Sequence, residues 1–218
     1  MSVLSKKKKN EFQSSVLKWY SANGVKYPWC EKRTPYRVLI SEFLLVRTKA
    51  SQVKTVFEQF MIKYPTLDEF LKMEIEMVEE IIKPLGLLFR ANYLKHIAEQ
   101  IKNDFSNTIP DNFSDLKSLQ GIGDYTANAI LCFGYNQRRP LIDTNYIRLY
   151  KRVFNIKSKN KNPKNDKYLW NISEELLPEA NYVEFNYATL NLGVNICLNN
   201  NPKCKICPVQ KICYYYNK

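Results

Sequence analysis

Apolar positions recur at helical spacing along most of this 218-residue chain. Val38 to Val46 is apolar apart from Ser41 and Glu42, and Val53, Phe57, Phe60 and Met61 continue the rhythm. Leu67, Phe70, Leu71 and Met73 open a further segment. Tyr93, Leu94, Ile97, Ile101 and Phe105 form another stripe. Turns are predicted at Tyr64-Pro65, Pro84-Leu85-Gly86 and Ile109-Pro110-Asp111. Convincing period-two strands joined by hairpin turns are absent from the sequence, so the pattern predicts an all-α architecture. Residues 157–167, KSKNKNPKNDK, break the pattern and read as an exposed basic loop.

Length and composition narrow the class. A chain of this size forms one domain or two small lobes and buries a substantial core. No stretch approaches the roughly 20 apolar residues that a membrane span needs. The N-terminal MSVLSKKKKNEF is basic with no apolar segment behind it, so it is not a secretory signal, and a cytoplasmic protein is expected. Lys and Arg outnumber Asp and Glu by 33 to 21, a net charge of +12 that favours a polyanionic partner such as nucleic acid. A lysine-rich proteome explains the same surplus, so charge alone does not decide.

The cysteines carry the first specific chemistry. Cys197, Cys204, Cys207 and Cys213 follow the spacing C-x6-C-x2-C-x5-C. Four thiolates in one short loop suit a tetrahedral zinc or a cubane iron–sulfur cluster, with two disulfides as the remaining alternative. Further upstream, residues 116–130 read LKSLQGIGDYTANAI: a short helix with Leu116 and Leu119, a tight Gly121-Ile122-Gly123 turn, and a second helix from Asp124. The N–H groups of such a turn form an anion site with the next helix's N-terminus, and Ile122 anchors the turn in the core.

The hairpin string closely resembles the helix–hairpin–helix element of the DNA glycosylase superfamily, in which L-x-x-L-x-G-[IV]-G-x-x-T-A grips a DNA phosphate. The resemblance extends to Pro28-Trp29 and Pro35-Tyr36 ahead of LISEFLLVRT, to an aspartate 20 residues beyond Gly123 in LIDTNYIRLYKR, and to the four cysteines, spaced as in the endonuclease III and MutY branches. These blocks run from residue 25 to 215. The resemblance implies a two-lobed fold: a six-helix barrel domain at 27–136 carrying the hairpin, and an iron–sulfur domain built from 1–26 and 137–218. It implies a [4Fe–4S] cluster on Cys197, Cys204, Cys207 and Cys213, double-stranded DNA with mispaired or damaged bases as partner, and a monomer.

The resemblance also assigns roles to individual residues. Breaking an N-glycosidic bond requires negative charge beside a sugar gaining oxocarbenium character and a proton for the leaving base, a division of labour that two carboxylates perform in glycoside hydrolases. The first role falls to Asp143, which also reads as the N-cap of its helix. Glu42, in an otherwise apolar helix where partial burial favours its protonated form, is the candidate acid. Bifunctional endonuclease III-type members carry lysine where this chain has Tyr125. A phenol cannot form an imine, so a monofunctional glycosylase is implied. The lysine sometimes found four residues after the aspartate in MutY is Ile147 here.

Tyrosine at that slot occurs both in thymine/uracil mismatch glycosylases and in many MutY adenine glycosylases. Three features favour the former: the chain stops soon after Cys213, LLVRT replaces the L-Q-Q-T typical of MutY, and Asp143-Thr144-Asn145 replaces D-G-N. Arg47 is the candidate plug for the gap left by a flipped nucleotide. Cys30 stands where the family normally has arginine, which leaves a local ion pair or phosphate contact in doubt. Adenine opposite G or 8-oxoguanine is the alternative substrate, and a non-catalytic DNA-binding protein the third. Lys203, Lys205 and Lys211 are expected to face DNA, and His96 is assigned no chemistry.

Overall fold

A computed structural model describes residues 4–86 and 88–218. All regular structure among them is helical, as the periodicity predicts. In chain order the α-helices are α1 (Lys6–Asn23), α2 (Pro28–Glu31), α3 (Pro35–Leu45), α4 (Ala50–Lys63), α5 (Leu67–Phe70), α6 (Ile75–Ile82), α7 (Phe89–Asp104), α8 (Phe113–Ser118), α9 (Asp124–Ala129), α10 (Thr144–Phe154), α11 (Lys167–Leu176) and α12 (Tyr182–Asn195). A π-turn, Ile130–Gly134, continues α9. The chain forms two compact units, Lys26–Gln137 and Met1–Val25 with Arg138–Lys218. No helix of the described residues is long and apolar enough to cross a membrane.

In the unit Lys26–Gln137, α3 is the central element. Pro35 at its first turn needs no N–H donor there, and Thr34 accepts from the Arg37 N–H. Tyr36, Val38, Leu39, Ile40, Ser41, Phe43 and Leu44 are all buried, each large apolar side chain contributing about 1.5–3 kcal/mol. Helices α4, α7 and α9 and the π-turn pack around it. The segment expected from Leu67 is a single helical turn. Thr66 and Glu69 form a capping box at its start, and Phe70 seats against Tyr36 and Phe60, with ring centroids 5.5 and 6.4 Å away.

The other unit packs α1 and α10 onto α12. Phe12 meets Phe154 and Phe185 edge-on at 5.0 and 5.9 Å. Two buried tyrosines fix α10. Tyr146 Oη lies 3.0 Å from both the backbone carbonyl and the side-chain oxygen of Asn186, whose amide in turn donates to the Arg139 carbonyl. Tyr150 Oη sits 3.2 Å from Ser173 Oγ, which donates to the Leu141 carbonyl. Burial pushes the Tyr150 phenol well above its ordinary pKa, with the Asp143 charge adding to the rise. Buried polar groups without partners would destabilise this core; here they tie the approach segment 139–142 to the helix that it enters.

Candidate functional site

Asp143 is the N-cap of α10. Its Oδ1 accepts from the backbone N–H groups of Asn145 (2.8 Å) and Tyr146 (2.9 Å), and its Oδ2 accepts from Asn145 Nδ2 at 2.7 Å. The expected cap and a third, side-chain donor therefore hold one half-buried carboxylate in one orientation. The third donor is itself held. Asn145 Oδ1 accepts from Arg148 Nη2 at 2.8 Å; the same guanidinium donates to the Gly193 carbonyl at 2.6 Å and the Cys197 carbonyl at 2.7 Å. Gly193 is required by proximity, since a Cβ there would stand 2.7 Å from Asn145 Cβ. Hydrogen bonds thus run without a break from Asp143 to the backbone of the first cysteine.

None of the six cysteines is joined in a disulfide, so the disulfide alternative is not realised. Cys197, Cys204, Cys207 and Cys213 line one pocket, with Arg152 and Tyr215 among its other walls. Short 3-10 turns at Cys204–Ile206 and Gln210–Ile212 shape the loop, and Tyr214 and Tyr215 N–H groups bond back to the Val153 and Arg152 carbonyls. Arg152 Nη1 donates to Cys197 Sγ at 3.4 Å and to the Leu198 carbonyl, while its guanidinium covers the Tyr215 ring at 5.1 Å. Among the described residues, no three His, Cys, Asp or Glu side chains are grouped to hold a single metal ion. Burial raises the Cys204 thiol and pushes Cys207 up to about 11; the neighbouring cysteine sulfurs add to both. Four soft sulfur donors around one pocket are a donor set suited to a metal-bearing group.

The glycine hairpin lies between α8 and α9, in the unit Lys26–Gln137. Gly121 adopts φ +83°, and a Cβ there would come within 2.9 Å of the Tyr93 ring. Gly123 differs: it is extended at φ −91°, with nothing within 4 Å of a built Cβ. One glycine is therefore needed for conformation, while the other leaves an open approach to the start of α9. Ile122 is buried, and Gln100 pins the turn by accepting from Gln120 N–H and donating to the Ser118 carbonyl. The Asp124 carboxylate in the first turn is paired with Lys117 Nζ at 2.6 Å, which offsets its charge there.

Glu42 and Tyr125 are half-buried and sit in the same unit, on α3 and α9, which pack together. Arg47 follows the end of α3, is exposed, and adopts φ +54°. Lys203, Lys205 and Lys211 are exposed, as is His96, which lies 3.5 Å from Glu99 on its own helix. Around Cys30, Arg37 donates to the Lys32 and Pro28 carbonyls and lies 5.0 Å from the Phe57 ring. Sequence reasoning missed Asn145, Arg148 and Arg152. An Asn two residues after an N-cap Asp was the one visible signal for the first; the arginines carry no local pattern that separates them from surface charge.

Residues 40–175 match the profile of the HhH-GPD superfamily base excision DNA repair protein. The chain is 36% identical over 213 residues to the thymine/uracil-DNA glycosylase of Pyrobaculum aerophilum, covering 95% of this chain and 93% of that one. It is 36% identical over 203 residues to the adenine DNA glycosylase of Buchnera aphidicola, of which it spans 58%. A solved thermostable thymine-DNA glycosylase superposes with a TM-score of 0.89 at 33% identity, over 97% of both chains.

Proposed function

The chain belongs to the HhH-GPD superfamily of base excision DNA repair proteins, and from that premise we propose that it is a monofunctional DNA glycosylase acting on mispaired thymine or uracil. It flips the base out of a G·T or G·U pair and hydrolyses the glycosidic bond to leave an abasic site. The observation that carries the mechanism is the Asp143 carboxylate, oriented by three N–H donors. Fixed negative charge of this kind stabilises the sugar as its bond to the base lengthens, and a pre-oriented group spends nothing on reorganisation during the reaction. Glu42 supplies the proton or hydrogen bond that the departing base needs. Tyr125 occupies the place of the imine-forming lysine and offers no amine, so base release proceeds without strand cleavage.

Access requires extrusion, because the glycosidic bond is shielded inside the duplex, and a mispaired base costs less to extrude. The Gly121-Ile122-Gly123 turn grips one phosphate through its glycine N–H groups, the Ile122 N–H being bonded to the Leu119 carbonyl at 3.1 Å; Arg47 fills the vacated stack, and exposed lysines set a steep salt dependence. Cys197, Cys204, Cys207 and Cys213 hold a [4Fe–4S] cluster, which when bound cross-links the loop and presents Lys203, Lys205 and Lys211 to the backbone. The reducing cytoplasm keeps those thiols available.

The similarity to an adenine DNA glycosylase supports a second reading, adenine opposite G or 8-oxoguanine. One experiment separates the two. The protein is incubated with duplexes containing G·T, G·U, G·A and 8-oxoguanine·A, and alkali then reveals abasic sites. Strand breaks at T and U, absent without alkali, are expected. Breaks confined to adenine would replace the proposed substrate, and tight binding without any base release would leave a DNA-binding protein.

A further inference from the structure

Arg90 is the largest fully buried side chain among the described residues, only 1% exposed at the second position of α7. Among those residues no carboxylate pairs with it. Its guanidinium is instead spread over the turn that leaves α3. Nη1 donates to the Leu44 carbonyl at 2.8 Å; Nη2 donates to the Val46 carbonyl and, at 2.6 Å, to Thr48 Oγ1. Its Nε is buried with no partner, so the side chain accepts an unsatisfied donor to hold this geometry. The acceptors flank one residue, Arg47, whose φ of +54° lies in a region that side chains with a Cβ seldom enter. Such conformations persist where the surroundings over-determine them. Carbonyls at a helix C-terminus lack intrahelical partners, and a buried cation facing them matches the helix dipole.

We propose that Arg90 is a positioning residue: it clamps the 44–48 turn so that Arg47 is projected outward before DNA arrives. The inference rests on Arg47 being the residue that contacts the flipped-out duplex. The clamp presets that contact and thereby sets affinity for distorted DNA, while base release at saturating protein is governed elsewhere. Lysine cannot replace Arg90, because one ammonium does not reach three acceptors that the guanidinium fork spans.

The test combines free-protein and DNA-bound measurements on Arg90→Lys, Arg47→Ala and the double variant. In the free protein, amide exchange at Thr48, whose N–H bonds to the Leu45 carbonyl at 3.1 Å, should accelerate in Arg90→Lys while the interior of α3 is unchanged. With a duplex bearing an abasic analogue opposite guanine, Arg90→Lys should weaken binding by about fivefold or more, and by far less once Arg47 is alanine, the non-additivity expected of residues acting through one another. Single-turnover release from G·T at saturating protein should stay within about twofold of wild type. Unchanged Thr48 exchange overturns the clamp whatever the DNA data show. Equal losses in both backgrounds make Arg90 a plain stability residue and also overturn it. A null effect of Arg47→Ala refutes Arg47 as the DNA contact, leaving exchange to decide the clamp alone.

Discussion

Replacing Asn145 by alanine removes the side-chain donor that fixes Asp143 Oδ2 while leaving both backbone donors to Oδ1 in place. A hydrogen bond to a charged acceptor contributes about 1.5–3 kcal/mol. Asp143 and Asn145 are both half-buried, which points to the lower end, and about 1.4 kcal/mol in the barrier is tenfold in rate. Loss of Asn145 also frees the Arg148 fork from one of its three acceptors, so the carboxylate loses its orienting shell as well as a bond. A loss of about 1.5–3 kcal/mol in the barrier corresponds to about 10–100-fold in rate. The expected outcome is a fall of that size in single-turnover thymine release from G·T duplexes, with affinity for an abasic-analogue duplex unchanged. Adding Asn145→Ala to Asp143→Asn should cost nothing further, because the partner's task has gone. A rate within about twofold of wild type would refute the argument, since it would mean that the two backbone N–H groups orient the carboxylate unaided.

Three further outcomes are expected. Gly121→Ala should lower the unfolding free energy by about 1–3 kcal/mol through its positive φ and the Tyr93 contact; Gly123→Ala should melt like wild type yet bind duplex DNA more weakly, measured by anisotropy. Tyr125→Lys should yield a borohydride-trapped protein–DNA adduct, seen as a shifted band on denaturing gels, which wild type does not give. The Asp166 carboxyl is held below its usual pKa by its hydrogen bond from Ser158 and by backbone N–H donors. A depressed folded-state pKa means its stabilisation is complete above the unfolded value of about 3.9 and fades as pH falls through the lower folded one. The melting-temperature difference between wild type and Asp166→Ala should therefore shrink on acidification from about pH 6 toward about pH 3.

Much of this molecule was legible in its sequence because the informative groups act locally. The α3 stripe, the hairpin and the N-cap at Asp143 each depend on residues within a few positions, where periodicity and capping rules operate. Distinguishing Gly121 from Gly123 needed backbone angles and the position of Tyr93, which lies in another helix. Arg90 was opaque for a different reason: at the start of a helix, an arginine reads as solvated charge, and only the three carbonyl and hydroxyl acceptors from residues 44–48 reveal it as core. Arg148 and Arg152 reach acceptors more than forty residues away, a separation at which single-sequence patterns carry no signal. The short α5 shows the converse: the apolar residues from Leu67 to Met73 open a segment, of which only Leu67–Phe70 is helical, with Phe70 seated against Tyr36 and Phe60.

The discontinuous unit has a consequence for how the molecule comes into being. Gln13 of α1 donates to the Leu176 carbonyl, 163 positions away, and Lys8 to Val153. Lys26–Gln137 emerges from the ribosome as one uninterrupted stretch and can complete its internal contacts early, whereas α1 must wait for α12 before either is covered. Closing so long a loop adds little entropy beyond a shorter one, yet it delays the event to the end of synthesis. A nascent chain therefore carries its glycine hairpin well before the framework of Asp143 exists. On the proposed function, vectorial synthesis alone gives a period in which the chain has its DNA-contacting turn but not the carboxylate framework that base release requires.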